Sequence, residues 1–254
     1  MAIINVTPDS FSGPGYLSRD AALRAAEQAI ADGAEILDIG GESSRPGAVS
    51  VSEQEELDRV IPVVEALAPL NMPISVDTVK PAVMRESIRV GADMINDIAA
   101  FRVAGALEAV KDSKVAVCVM HMQGEPGTMQ RAPSYGDVLS DVQAFLAQRV
   151  DVLQRAGVAG ERILLDPGFG FGKTLTHNLA LLKGLSDFCE TTFPVLVGMS
   201  RKTMLGEIAG RPVGERMVIG AAAALVAMQN GARIIRTHDV GATRDVLRLW
   251  EMLA

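Results

Sequence analysis

Short β-branched runs alternate with longer stretches of helical period along the whole chain, and this alternation limits the fold more than any other feature. Two strands running the same way need a long return path, so parallel strands joined by crossover helices leave this pattern. Strand candidates fall at 2–5, 36–39, 74–77, 94–97, 115–121, 163–166, 195–198 and 234–237. Amphipathic stretches between them, such as 20–31, 53–67, 81–90, 138–156 and 215–229, carry apolar residues at helical spacing. Gly33-Ala34, Gly91-Ala92, Gly157-Val158 and Gly231-Ala232 stand just before the second, fourth, sixth and eighth strands, where Gly suits the left-handed stop of a helix. Three of the four continue alike, as GAEILDI, GADMIND and GARIIRT, and strands three and seven are entered through Pro73 and Pro194. Paired βα units repeated four times predict an α/β fold, a closed (β/α)8 TIM-type barrel in a single domain over 1–254, rather than an open doubly wound sheet.

Charge and composition remove several classes of function. With 24 Lys+Arg against 31 Asp+Glu, a net charge of -7 and no Lys/Arg-rich run, the chain lacks the footprint of a nucleic-acid or anionic-membrane binder. The longest apolar run, 219–228, is about half of the ~20 residues a membrane helix needs. No basic segment followed by an apolar one opens the chain, so a cytoplasmic protein is expected. Cys118 and Cys189 have neither disulfide-framework nor metal-type spacing and read as plain thiols.

Every strand candidate ends in polar residues: Asn5, Asp38, Asp77, Asn96 with Asp97, His121, Asp166, Ser200 with Arg201 and Lys202, and Arg236 with His238. In a barrel these ends share one face, where an unpaired buried polar group costs about 1 to 3 kcal/mol. A polar ligand at that face accounts for all eight. Each Asp taken alone is equally compatible with a helix cap. His121 lies in an apolar strand and reads as a satisfied core group, and His177 as part of a helix start. Arg236 and His238 are two apart, so in an extended strand both point the same way and suit an anion.

Two Gly/Pro/Ser-rich loops follow strands one and two, 5–15 and 40–48, and the placing of Phe11 and Arg45 among small residues suits a cover over a substrate. A third loop ends in Gly172-Lys173-Thr174, as phosphate-binding loops do. That motif requires Gly at position 167, where this chain has Pro, which has no N–H for a phosphate.

Eight ordered segments carry a resemblance: Asn5-Val6-Thr7-Pro8-Asp9-Ser10-Phe11-Ser12, Asp38-Ile39-Gly40-Gly41-Glu42-Ser43-Ser44-Arg45-Pro46-Gly47, Ser75-Val76-Asp77-Thr78, Ile95-Asn96-Asp97-Ile98, Met120-His121-Met122-Gln123-Gly124, Asp166-Pro167-Gly168-Phe169-Gly170-Phe171-Gly172-Lys173, Gly198-Met199-Ser200-Arg201-Lys202 and Arg236-Thr237-His238-Asp239. Together they resemble the dihydropteroate synthase family over nearly the whole chain. The resemblance implies a transferase of folate biosynthesis, in which 6-hydroxymethyl-7,8-dihydropterin diphosphate and 4-aminobenzoate give 7,8-dihydropteroate and diphosphate. It implies that 1–254 form a pterin-binding barrel, that Mg2+ is the cofactor, held through Asn5, and that the protein is a homodimer and a sulfonamide target. By the same similarity Asp77, Asn96, Asp166 and Lys202 take the pterin, and Arg236, Thr237 and His238 lie at the diphosphate. Thr7, Asp9, Ser44, Arg45 and Pro46 cover the aminobenzoate beside Phe171 and Ser200, with Thr7, Asp9, Arg45 and Lys202 closest to the chemistry. The chain departs from the family pattern at Ser12-Gly13-Pro14-Gly15, at Ser44 and at Thr237. Its first strand starts at residue 1 or 2, where family members carry a short preceding hairpin. A pterin-binding protein with impaired turnover, or a methyltetrahydrofolate-type methyltransferase, is the alternative reading.

Overall fold

The computed structural model describes residues 1–7, 15–44 and 50–253, with the backbone alone for 15–18. Eight parallel strands appear where the β-branched runs lie: β1 (Ala2–Asn5), β2 (Leu37–Gly40), β3 (Ile74–Asp77), β4 (Met94–Asp97), β5 (Ala116–Met120), β6 (Ile163–Asp166), β7 (Leu196–Val197) and β8 (Ile234–Ile235). Strands β1 to β6 pair in sequence order and β7 pairs with β8. Single parallel bridges, Leu165 to Val195 and Ala2 to Thr237, join the two sets and close the ring. Among the described residues no strand edge is left open, which matches the (β/α)8 expectation.

The helices between them are α1 (Gly15–Ala31), α2 (Glu53–Leu67), α3 (Pro81–Arg89), α4 (Ala106–Val110), α5 (Val138–Arg155), α6 (Leu175–Lys183), α7 (Leu185–Cys189), α8 (Thr203–Ala209), α9 (Met217–Gln229) and α10 (Val240–Glu251). Periodicity alone singles out α1, α2, α3, α5 and α9. Helices α4, α7 and α8 have seven residues or fewer, too few turns for a 3.6-residue period to stand out, while α6, as long as α3, and the twelve-residue α10 are not singled out either.

The repeated glycines act as stops. Gly33, Gly91, Gly157 and Gly231 all have φ between +92° and +112°. The amide after each reaches back five residues, as from Ala34 N to Ala29 O at 2.8 Å and from Ala232 N to Ala227 O at 3.0 Å. A side chain is strained at such φ, so these four positions set where the chain turns into a strand.

Alternation along each strand divides the apolar residues into two cores. Ile39, Val76, Ile95, Val117, Leu165 and Val197 face outward into the main core under the helices. Met94, Cys118, Leu164 and Leu196 face inward, with Met1, Ala116 and Ile234 against them, and fill the barrel. The barrel is therefore a packed core, whose polar inward residues lie at the C-terminal rim and, as Asp38 and Ser75, in the layer of Met94 just below it.

Candidate active site

At the rim, strand register lines up the inward positions. Asn5 is level with Gly40, Gly40 with Asp77, Asp77 with Asn96 and Asn96 with Cys118. Gly40 leaves a gap in this row, because a side chain there would stand 3.8 Å from Asn5 Oδ1 and 3.7 Å from Asp77 Cβ. Two residues below Gly40 on β2, Asp38 is wholly buried. Arg236, at the end of β8, crosses to this side. Its Nε donates to Asp38 Oδ2 at 2.6 Å and its Nη2 to Asp77 Oδ2 at 2.8 Å. Burial opposes the guanidinium's charge, but Asp38, Asp77 and Asp166 outweigh it and hold Arg236 above its ordinary value. Burial pushes Asp77 up to about 7, against Arg236 and with Asp38, so two carboxylates share one cation. Asp38, read from the sequence only as one polar strand end, is thus the principal anchor of Arg236.

The other side of the mouth is the glycine-rich loop after β6. Asp166 is buried, and its Oδ1 accepts from Gly168 N at 2.7 Å. Burial raises its carboxyl above the usual range, and Lys202, the Gly168 amide, Lys173 and Arg236 pull the other way. Five successive carbonyls of this loop each receive a side-chain donor. Lys173 Nζ donates to Gly168 O at 2.8 Å and Phe171 O at 3.1 Å, and Tyr135 Oη to Gly172 O at 2.7 Å. Lys202 Nζ donates to Phe169 O and Gln130 Nε2 to Gly170 O. Gly168 has φ +70°, and a Cβ on it would lie 1.8 Å from His121 O, so only glycine lets the loop lie against β5.

The Gly-Lys-Thr ending is accounted for here. Lys173 is 3% exposed, and its ammonium faces carbonyl oxygens and His121 Nδ1 at 2.9 Å instead of an anion. His121 is indeed a core group: burial first and Lys173 second lower it to about 3, and its ring meets Phe145 edge-on at 4.9 Å. His177 caps the start of α6 with Thr174. Both cysteines are free thiols raised by burial.

Lys202 Nζ lies 4.7 Å from the centre of the Phe171 ring, and burial lowers its ammonium to about 8. Its backbone is set by Arg201, which takes φ +59° while its guanidinium pairs with Asp239. Asn96 is 3% exposed, and its Oδ1 has no hydrogen-bond partner in the described chain. Ser200 Oγ is 3.1 Å from both the backbone N and Nδ1 of His238, and Thr237 Oγ1 is 3.1 Å from Thr243 Oγ1. Arg236 and His238 therefore have separate neighbours: β8 ends at Ile235, and beyond it the same-side rule for alternate residues no longer holds. Thr7 is buried beyond β1 and Ser44 half-buried beyond β2. Asp9, Arg45 and Pro46, with Phe11, lie outside the described residues.

Among the described residues no group of three or more His, Cys, Asp or Glu could hold a metal ion. No helix there is long and apolar enough to cross a membrane. Besides Asp38, sequence reasoning missed the loop-bracing roles of Lys173, Gln130 and Tyr135. No local signal marks them, because each acts on backbone brought near by the fold.

The family described as pterin binding enzyme matches residues 1–238. The dihydropteroate synthase of Haemophilus influenzae is 50% identical over 256 residues, covering 100% of this chain and 93% of its own. Among solved structures, Yersinia pestis dihydropteroate synthase in a sulfonamide drug complex superposes with a TM-score of 0.96 at 48% identity, covering 100% of this chain and 93% of that one. The Burkholderia cenocepacia enzyme complexed with 7,8-dihydropteroate gives 0.92 at 54%, covering 100% and 90%. A closed barrel with this rim, and identity at this level over the full length, have one consequence: the chain belongs to the dihydropteroate synthase family of pterin binding enzymes.

Proposed function

We propose that the rim condenses 6-hydroxymethyl-7,8-dihydropterin diphosphate with 4-aminobenzoate, giving 7,8-dihydropteroate and diphosphate, and that 1–254 act as one pterin-binding domain. The observation that carries this reading is the convergence of a carboxylate, an unpaired carboxamide oxygen and an ammonium, from Asp166, Asn96 and Lys202, at one end of the barrel. A pterin edge presents adjacent N–H and NH2 donors, which suit a carboxylate that accepts twice, and the ring carbonyl suits the ammonium. Asp77 extends the acceptor row, and Phe171 offers an aromatic face beside Lys202.

The methylene C–O bond breaks with its electron pair leaving on the diphosphate. The arylamine lone pair then forms the new C–N bond, and its proton passes to solvent. The arylamine is neutral near pH 7, so no strong base is needed, and catalysis rests on positioning and charge stabilisation. Arg236, Thr237 and His238 are assigned to the diphosphate, where the leaving charge grows, and Ser200 with Phe171 to the aminobenzoate. Thr7, Asp9, Ser44, Arg45 and Pro46 are assigned to the aminobenzoate. Asn5 offers a carboxamide oxygen above the Gly40 gap, a hard donor that fits Mg2+, which keeps few protein ligands alongside phosphate oxygens and water. When bound there, Mg2+ would neutralise charge on the diphosphate.

Steady-state diphosphate release with both substrates tests the reading. Turnover that requires 4-aminobenzoate supports it, whereas pterin affinity without product would leave a binding protein. The chain is further inferred to act in the cytoplasm as a homodimer. Helix α9 is apolar up to its last residue, Gln229, and exposes Met217, Val218 and Val226, with Val213 beside it, a face that a second copy would cover. Sedimentation at micromolar concentration checks this, and a monomer would overturn it.

A further inference from the structure

The ammonium of Lys173 takes no part in the chemistry above, yet it is more deeply buried than any other Lys or Arg in the described chain. Its partners are His121 Nδ1 at 2.9 Å, Gly168 O at 2.8 Å and Phe171 O at 3.1 Å, one for each of its three protons, with His121 O further off at 3.4 Å. Gly168 joins it to the site, since its carbonyl receives Lys173 while its amide donates to Asp166 Oδ1 at 2.7 Å.

The charged and titratable groups facing Asp166 come from each element packed around it. Strand β5 contributes Cys118, a neutral thiol, and the residue just after it is His121, which burial and Lys173 keep uncharged. Arg236 acts from β8 but is committed to Asp38 and Asp77. Lys202 acts from beyond β7, where its ammonium also meets Phe169 O and the Phe171 ring and, on the reading above, the pterin. Lys202 is the larger opposing charge and Lys173 a smaller one, but Lys173 has all three protons bonded inside the protein, and although burial lowers its ammonium to about 7, it stays charged over the acid range in which Asp166 takes up a proton. Burial drives Asp166 toward its neutral acid. A neutral acid would turn an O–H toward pterin N–H donors and could accept only once with full strength.

We propose that Lys173 is a positioning residue for the pterin site: its buried charge keeps the Asp166 carboxylate ionised, and its bond to Gly168 keeps that carboxylate aimed at the mouth. This rests on the reading of Asp166 as the pterin carboxylate. The motif resembling a phosphate loop thus has its charge turned inward, toward an acid of its own chain.

Binding of 6-hydroxymethyl-7,8-dihydropterin, which has no phosphate to titrate, is measured by calorimetry from pH 4.5 to 8.5 for the unmodified protein, Lys173→Met, Lys173→Arg and Asp166→Asn. Affinity should fall on the acid side as Asp166 takes up a proton. Lys173→Met should move that midpoint upward by about one pH unit or more, and Lys173→Arg should keep it in place. If Met at 173 prevents folding, Lys173→Gln retains N–H donors without the charge and carries the same expectation. A loss equal at every pH, with the midpoint unmoved, would overturn the proposal. Undiminished affinity in Asp166→Asn would remove the pterin reading itself, and the proposal with it.

Discussion

From Gly168 to Gly172 every backbone carbonyl receives a side-chain donor, whereas on β2, β3 and β4 the buried oxygens Asp38 Oδ1, Ser75 Oγ and Asn96 Oδ1 have no hydrogen-bond partner in the described chain. Asn96 and the loop border the same mouth, and Asp38 and Ser75 lie one inward layer below it. Saturated bonds hold a loop that has no regular secondary structure, so the loop side works as a preorganised wall. Unpaired buried acceptors cost stability in the free chain, and a ligand rich in N–H donors would recover that cost on binding. The strand side is therefore where pterin donors are expected to be read, and the loop side keeps the reading frame rigid.

The most severe way to break this contrast is Arg236→Ala, which leaves Asp38 and Asp77 facing each other without a cation. Denaturant unfolding should show a loss of about 3 to 5 kcal/mol. In protein that still folds, affinity for the diphosphorylated pterin should drop far more than affinity for 4-aminobenzoate. Equal losses in binding titrations would mean that the guanidinium serves the fold alone. A more selective variant is Asn96→Ala: removing an oxygen that already lacks a partner should shift stability by less than about 1 kcal/mol, while pterin affinity falls roughly tenfold. The reverse order of effects would place the pterin elsewhere.

The pH dependence sharpens the comparison from the loop side. Burial brings the Lys202 ammonium down to about 8 from its ordinary 10.5. The free enzyme loses this charge as pH rises through that value, so kcat/KM for the pterin substrate should decline above about pH 8. Lys202→Arg, charged throughout, should remove the decline even if it lowers the plateau. The smallest effect is expected from Tyr135→Phe, which takes one donor from Gly172 O. Its stability should fall by about 1 kcal/mol with pterin affinity nearly unchanged, the opposite of Asn96→Ala.

Much of this architecture was legible in the residues themselves. The four glycine stops, the eight strand positions and the polar strand ends all follow from neighbours along the chain, so a reading by periodicity finds them. Segments as short as α7 and β8 escape with their boundaries, because five and two residues do not make a period. The site was legible as a set of positions, but not as a set of partners. Arg236 and His238 looked like one clamp, yet Arg236 lies across the mouth on Asp38 and Asp77, and His238 lies against Ser200. Lys173 looked like a failed phosphate ligand and is an internal cation.

What the sequence determined on its own was the βα repeat and the rim on which its polar residues gather, because hydrophobic period, helix stops and strand ends are local properties. Only the closed tertiary structure decided which charge meets which. Asp38 and Arg236 are 198 residues apart, and His121 and Lys173 are 52 apart. Such pairs form only after the ring has closed and water has been excluded from between the strands. Their energy depends on that burial, which no stretch of sequence carries by itself.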